Sequence, residues 1–238
     1  MLRVTIFNEF AHERQSEAVQ TIYPDGIHMT LKRALESPDV TVRTVTLDDP
    51  QCGLTEDVLR DTDVLLWWGH MLHHVVPDEV AERVKNAVHC GMGAVFLHSA
   101  HMSKPFRLLM GTPCTLTWRE DGDRELVWVA DPTHPIAQGL GRFIKLDHEE
   151  TYGEPFAIPT PEELVFIGGF EGGEVFRAGC CYRRGYGRVF YFQPGHESFP
   201  TYHHPEIQTV IRNAVQWACP THRVDAVDCP WVKKPLEE

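Results

Sequence analysis

The sequence predicts an α/β fold: a mostly parallel sheet with helices on both faces and an antiparallel extension in the C-terminal half. Three observations carry this expectation. Short apolar, β-branched runs alternate with helix-period segments as far as His101. Several of those runs stop abruptly on polar, chemically capable side chains. After Trp118 the alternation gives way to successive strand-like runs separated by turn residues.

Leu2 to Phe7 reads as the first buried strand, ending at Asn8-Glu9-Phe10. The segment through His12 and Tyr23-Pro24-Asp25-Gly26 is punctuated like a loop. His28 to Glu36 then reads as a helix with Met29, Leu31, Ala34 and Leu35 inward, and the dipole at its start disfavours a charged His28. Val40 to Leu47 alternates as a strand and Leu54 to Asp61 is a short helix. Asp63 to His70 is a third strand running into Gly69 and His70. Pro77, the acidic first turn Asp78-Glu79 and the stripe Val80, Val84 and Val88 predict a helix closed by Gly91. Gly93 to Leu97 is the fourth strand and ends on His98-Ser99-Ala100-His101. Strand and helix in this alternation give right-handed crossovers and a flavodoxin-like parallel sheet.

Pro105 opens a short helix through Met110. From Trp118 to Asp131 the pattern turns antiparallel, with Asp121-Gly122-Asp123 as the expected hairpin turn. Asp131 to Ile136 is turn chemistry. Leu146 to Gly153 is dense in ionisable groups, and if it is extended, Glu150 shares a face with His148 and Tyr152 while Glu149 points away. Leu164 to Phe170 and Glu174 to Tyr182 are further strands around a glycine turn. Gly187 to Phe192 is a last core strand leading into Gly195-His196-Glu197, and Pro205 to Ala218 is an amphipathic helix. This predicts a single α/β domain over residues 1–218 and a C-terminal tail over 219–238. The tail, with Pro220, Pro230 and Pro235, wraps the surface or meets a partner.

A formal net charge of −12, from 34 acidic and 22 basic residues, argues against nucleic acid or an anionic membrane as partner. No apolar run is long enough to span a bilayer, and the first residues lack a signal-peptide layout, so a cytoplasmic location is expected. Seven scattered cysteines are odd in number and read as reduced structural thiols. Fourteen histidines are the unusual part of the composition, and they cluster.

In open parallel sheets ligands bind outside the carboxyl ends of the strands. Those ends here offer Asn8, Glu9, Gly69, His70, His98, Ser99, His101, Glu150, Tyr152, His196 and Glu197. Ser99 with His196 and Glu197 invites a nucleophile-base reading, but a Gly-x-Ser-x-Gly elbow is absent, its positions holding Leu97, His98, Ala100 and His101. The histidines leave two readings open. One is a divalent metal, Zn or Mn foremost, held by imidazoles and a carboxylate; the other is hydrogen bonding and acid-base work near neutral pH. The backbone at Gly69 allows close approach of an oxyanion.

Several motifs resemble those of the ThuA family, named for trehalose utilisation, whose fold is related to class I glutamine amidotransferases. They are Asn8-Glu9-Phe10, Trp67-Trp68-Gly69-His70, Gly93 to His101, Asp131 to Ile136, Glu149-Glu150-Thr151-Tyr152, and Gly187 to Tyr191 leading into Gly195-His196-Glu197. They occur in one order along nearly the whole chain to Ala218. The amidotransferase cysteine position falls at Ser99, so a glutaminase is not expected.

The resemblance implies sugar catabolism, on a disaccharide or its 3-keto derivative. For that chemistry His196 is the expected general base, Glu150 its partner and Ser99 a third catalytic candidate. His70 and His101 are the expected metal ligands or carbonyl-polarising groups. Asn8, Glu9, Trp68, Gly69, His98, Tyr152 and Glu197 form the expected substrate contacts, with Trp67, Trp68 and Tyr152 as the stacking candidates. No nucleotide cofactor is expected. A serine hydrolase using Ser99 and a non-catalytic sugar-binding protein are the alternatives, and apolar residues near the tail favour a homo-oligomer.

Overall fold

The five strands that alternate with helices form one half of a nine-stranded sheet, and every pairing in that half is parallel. In the computed structural model, which describes residues 1–229 and 231–234, β1 (Leu2–Asn8) lies between β2 (Val40–Thr46) and β3 (Val64–Trp68). β4 (Gly93–Leu97) pairs with β3, and the late strand β11 (Gly187–Phe192) adds itself parallel to β4. β3 and β4 are buried along their whole length, as strands covered on both faces must be.

The remaining strands are β5 (Thr117–Arg119), β6 (Glu125–Val129), β7 (Phe143–Leu146), β8 (Thr151–Gly153), β9 (Glu163–Phe170) and β10 (Val175–Arg184). The sheet runs β2-β1-β3-β4-β11-β10-β9-β6-β7, with antiparallel pairing from β11 onward. The flavodoxin-like half and the antiparallel extension are thus one continuous sheet over one hydrophobic core.

The helices are α1 (His12–Gln15), α2 (Glu17–Ile22), α3 (Ile27–Leu35), α4 (Glu56–Arg60), α5 (Asp78–His89), α6 (Lys104–Met110) and α7 (Pro205–Ala218). α3 packs with α7, whereas α4 and α6 each pack with α5, so both faces of the sheet are covered. In α7 the buried positions Ile207, Val210, Ile211, Ala214, Val215 and Ala218 recur at three and four residues. Pro205 fits its first turn and His204 caps it by accepting the Glu206 amide. The helix comes so close to β4 that a Cβ on Gly93 would meet the Ala218 carbonyl at 2.2 Å.

Three expectations are corrected. The segment from His12 holds α1 and α2 rather than loop; both are too short to show a period, and Ser16 between them caps α2 by accepting from Val19. Asp121-Gly122-Asp123 makes no hairpin, because β5 pairs with β8 in a separate two-stranded sheet while β6 pairs with β7 and β9. An Asp-Gly pair favours a turn locally but does not choose the strand that follows it. Arg119 binds Asp121, Asp123 and Glu174, which holds this connection in place of a ladder. The stretch around Glu149 is a connection between β7 and β8 rather than an extended strand, and His148 is exposed, donating to the Gly122 carbonyl.

The tail beyond α7 follows the surface as far as Val224, which donates to the Cys90 carbonyl, while Arg223 donates to the carbonyls of Leu59, Arg60 and Thr62 at the end of α4. Pro230 and Pro235 lie outside the described residues. No helix among the described residues is long and apolar enough to cross a membrane.

The turn after β11 is tightest at Gly195, whose φ is +138° and where a Cβ would stand 2.0 Å from the Tyr202 hydroxyl. Gly195→Ala is therefore expected to lower unfolding free energy by about 2 kcal/mol or more, from backbone strain and displacement of Tyr202. Urea unfolding of the two proteins checks this, and an unchanged midpoint would contradict it.

Candidate functional site

The carboxyl ends of β1, β3, β4 and β11 open on a cleft of about 420 Å³, lined by His70, Met71, Ser99, His101, Met102, Thr115, Leu116, Trp118, Glu120, Glu150 and Tyr152. Its floor is built by two carboxylates that hold backbone. Glu9, at the end of β1, accepts the amides of His70 (2.9 Å), Met71 (3.0 Å) and Leu72 (2.8 Å) and thereby fixes the loop after β3. Glu149 accepts the amides of Gly195, His196 and Glu150, each at 3.0 Å, and the Thr201 hydroxyl at 2.7 Å. Burial pushes the Glu149 pKa up, and the charge on His98, then the Thr201 hydroxyl and the Glu150 and His196 amides, oppose that shift.

Directly after β4 the chain bends at His98, which has a φ of 52°, and enters a 3-10 turn. A non-glycine residue in this region is strained, and here the strain aims a fully buried imidazole across the site. His98 Nδ1 donates to the Gln193 carbonyl (2.8 Å), and Nε2 lies 2.9 Å from Glu150 Oε2. Burial works against its charge, but the Glu150 carboxylate outweighs this, followed by Glu149 and the Gln193 carbonyl, and the pKa is pushed up to about 9. For Glu150 burial acts upward, yet His98, then His196 and His70, hold it below the ordinary carboxylate value. The two form a buried ion pair.

The other imidazoles are set by what their outer nitrogens meet. His70 Nδ1 donates to Glu197 Oε1 at 3.0 Å; despite burial, that carboxylate is held at about 2, first by His70 and then by His196. A neutral His70 thus keeps its lone pair on Nε2. His101 Nδ1 donates to the Cys114 carbonyl (2.7 Å), and burial lowers its pKa to about 3, so it is neutral with a lone pair on Nε2. His196 is the opposite case. Its Nδ1 accepts the Ser198 amide (3.2 Å), and burial, with His98 next, lowers its pKa to about 4. The proton of the neutral ring therefore sits on Nε2, which is buried and has no hydrogen-bond partner among the described residues, 3.3 Å from Glu120 Oε1.

One ligand atom each of His70, Glu150 and His196 lie within 4.8 Å of one another, as do those of His12, His70 and Glu197. His101 belongs to neither group, so of the two expected metal ligands only His70 stands where an ion would find several donors. Ser99 lines the cleft, but its Oγ meets only the Tyr152 hydroxyl at 3.4 Å; among the described residues no imidazole is hydrogen-bonded to it. The strained position after β4 is His98 and not Ser99, and no cysteine among the described residues lines the cleft. His196, expected as a base, is at rest a donor.

Of the expected substrate contacts Tyr152 lines the cleft, whereas Asn8, Glu9, Trp68, Gly69, His98 and Glu197 do not. Asn8 donates to Glu13 (2.7 Å), lies 2.8 Å from His28 Nδ1 and accepts from the Phe10 amide, all in the interior. Glu9 is spent on the three amides. Trp68 is wholly buried and donates through Nε1 to the Gly195 carbonyl (3.1 Å), which ties β3 to the His196 turn, and Trp67 is likewise core. Gly69 does not line the cleft. Tyr152 does line it, but it is buried and stacks on His98 (5.0 Å between ring centres, 16°).

Sequence reasoning missed His12, Glu149, Glu120 and Trp118. His12 Nε2 lies 3.3 Å from Glu197 Oε1, and its place four residues after Asn8 was the available signal. Glu120 and Trp118 reach the cleft only through the β5–β8 pairing, which has no local signature.

A family model described as trehalose utilisation, ThuA, matches residues 3–218. The chain belongs to the ThuA family. That membership implies a role in carbohydrate metabolism. No curated protein matches the chain by sequence. A ThuA-like protein from Parabacteroides merdae ATCC 43184 has a similar structure, with a TM-score of 0.66, 16% identity and coverage of 94% of this chain and 92% of that one. A second ThuA-like protein, from Bacteroides uniformis ATCC 8492, gives a TM-score of 0.65 at 13% identity, covering 92% and 91%. A cytoplasmic protein from Salmonella typhimurium gives 0.62 at 11%, covering 93% and 100%. At these identities the likeness is one of fold.

The His98–Glu150 pair gives this ThuA-family chain a pH signature. The folded pKa of His98 is raised to about 9 from an ordinary 6.5, so its contribution to stability is complete below pH 6.5 and is lost as pH rises through about 9. Nuclear magnetic resonance is expected to show the His98 ring titrating near pH 9. In Glu150→Gln the ring should titrate below 6.5, since burial then acts without the carboxylate, and the loss of stability across that interval should disappear. A His98 that titrates near 6.5 in the native protein would contradict the pair.

Proposed function

We propose that this protein carries out acid-base chemistry next to the carbonyl of a sugar derivative, such as a 3-keto glycoside, giving isomerisation or elimination. The observation that carries the reading is the opposed hydrogen bonding of two neighbouring imidazoles. His70 and His196 have ring centres 5.2 Å apart; outer hydrogen bonds leave a lone pair on the first and an N–H on the second. Carbon acids beside a carbonyl need that combination. His70 Nε2 takes the proton from carbon, the C–H electron pair becomes the enol double bond, and the carbonyl π pair moves to oxygen, where the His196 N–H stabilises it. A neutral imidazole is well suited to that second role, since its N–H can polarise an oxygen without first having to be charged. Glu150, held as carboxylate by His98, lies in the same cluster and can carry the proton of the neighbouring hydroxyl to the enolate oxygen, while His70 returns its proton to the former carbonyl carbon in isomerisation or to the departing oxygen in elimination.

A second reading has its own support. The donor atoms of His70, Glu150 and His196 within 4.8 Å, together with the unpartnered Nε2 of His196, suit one divalent ion, Zn or Mn. When bound there it would act as a Lewis acid on the carbonyl. Ligation at His196 Nε2 would require the ring to give up the Ser198 amide and carry its proton on Nδ1. The metal-free reading needs no such change.

Deuterium uptake from D2O into a 3-keto glycoside, followed by nuclear magnetic resonance, tests the proposal. The rate is expected to fall about 100-fold or more in His70→Ala and in His196→Ala. Near-stoichiometric Zn or Mn in the untagged protein, lost in His70→Ala and Glu150→Ala, would favour the metal reading. Sugar binding with no exchange on any keto derivative would make this a binding protein instead.

A further inference from the structure

The acid-base chemistry leaves the rim of the cleft unused, and the rim carries the largest exposed aromatic side chain that faces it. Trp118 is 65% exposed, on a chain whose tryptophans of the central strands, Trp67 and Trp68, are wholly buried. Exposing so much apolar surface is unfavourable unless something covers it. Trp118 stands directly opposite Tyr152 in the antiparallel β5–β8 pair, so both side chains rise from one face of that small sheet. Tyr152 stacks on His98 at the floor, and Trp118 continues the same wall one strand further out, a step of about 4.8 Å.

We propose that Trp118 is the platform for a second sugar ring, so that the cleft takes a glycoside of two rings with the reacting ring on the histidine floor. The inference rests on the sugar reading above and adds the residue that receives the second ring. The C–H face of a pyranose is apolar and suits a flat aromatic surface, while its hydroxyls need polar partners at the edge of that surface. Glu120 and Thr115 line the cleft beside Trp118 and supply them. The platform is held in advance of binding. Arg119, which points to the other face of β5, is bound by Asp121, Asp123 and Glu174, and Thr117 donates to the Gly153 carbonyl at 3.0 Å. A volume of about 420 Å³ lies within the range of small-molecule sites and leaves room beyond a single ring. Trp128, also partly exposed, packs on Phe143 at the far edge of the sheet and takes no part in the cleft.

Binding of two inert probes, α,α-trehalose and methyl α-glucoside, to the full chain separates the possibilities without requiring turnover. Saturation-transfer nuclear magnetic resonance titrations are compared for the native protein, Trp118→Ala, Trp118→Phe and His70→Ala. Trp118→Ala is expected to weaken trehalose about tenfold and methyl glucoside less than about twofold, with Trp118→Phe retaining most of the trehalose affinity. An equal loss for both probes, or none for either, overturns the platform and leaves the acid-base reading standing. A native protein that binds neither probe overturns the platform together with the sugar reading. Trehalose that binds normally to His70→Ala, with no deuterium exchange lost in that variant, would sink the acid-base reading and keep the platform.

Discussion

The arrangement of the cleft depends on one buried carboxylate. Glu149 draws together the amides of Gly195, His196 and Glu150 and the hydroxyl of Thr201. A carboxylate taken out of water without partners is strongly unfavourable, so these donors cannot be released singly without leaving a charge or an amide stranded. The constraint joins two parts of the chain that are far apart in sequence. It sets the end of β11, which carries His196, against the connection into β8, which carries Glu150 and Tyr152. Glu9 performs the same service on the opposite wall by gathering the three amides that place His70. The two groups that meet in the cluster, His70 and His196, are therefore each positioned by a carboxylate that never reaches the ligand.

With positions fixed, the outer partners decide what each imidazole can do. A carbonyl or carboxylate behind the ring forces a proton onto the outer nitrogen and leaves a lone pair inward, as at His101 and His70. A backbone amide behind the ring does the reverse, as at His196. His98 has an acceptor on both sides and is held as a cation. Four histidines in one small space thus meet different partners: His101 keeps an acceptor, His196 a donor and His98 a charge held by Glu150, while His70 has its Nδ1 taken by Glu197. The difference arises from the backbone atoms and carboxylates that the ring nitrogens meet, Glu150 on the cleft wall among them.

The fold was legible because its cues are local and repeated. Val64 to Trp68 and Gly93 to Leu97 are apolar on every residue, which only strands covered on both faces sustain, and Pro205 to Ala218 carries a cap, a proline and an unbroken stripe. The site was legible only to the level of strand ends. Which residue of Asn8-Glu9 or Glu149-Glu150 faces a ligand depends on where amides converge, and this is invisible until the loops are closed. Trp68 looked available because it ends a strand beside the site, yet its indole is consumed by the Gly195 carbonyl. Trp118 looked like the start of a hairpin, and only the pairing of β5 with β8 brings it to the cleft. Residues whose role is set by neighbours distant in sequence were the ones misread.

The charges that remain in the cleft also restrict what can occupy it. Glu197 Oε1 is met by His70 and His12, and His98 is matched by Glu150, so the fixed cation at the floor is already paired. Among the described residues no arginine or lysine lines the cleft, whereas Glu120 and Glu150 both do. A phosphate or carboxylate on the ligand would meet these acids with no guanidinium or ammonium to receive it, at distances where water no longer screens well. A neutral, polyhydroxylated ligand meets no such opposition, because its hydroxyls can donate to the same carboxylates and accept from the His196 N–H. The cleft is thus suited to a neutral, polyhydroxylated ligand rather than to an anionic one.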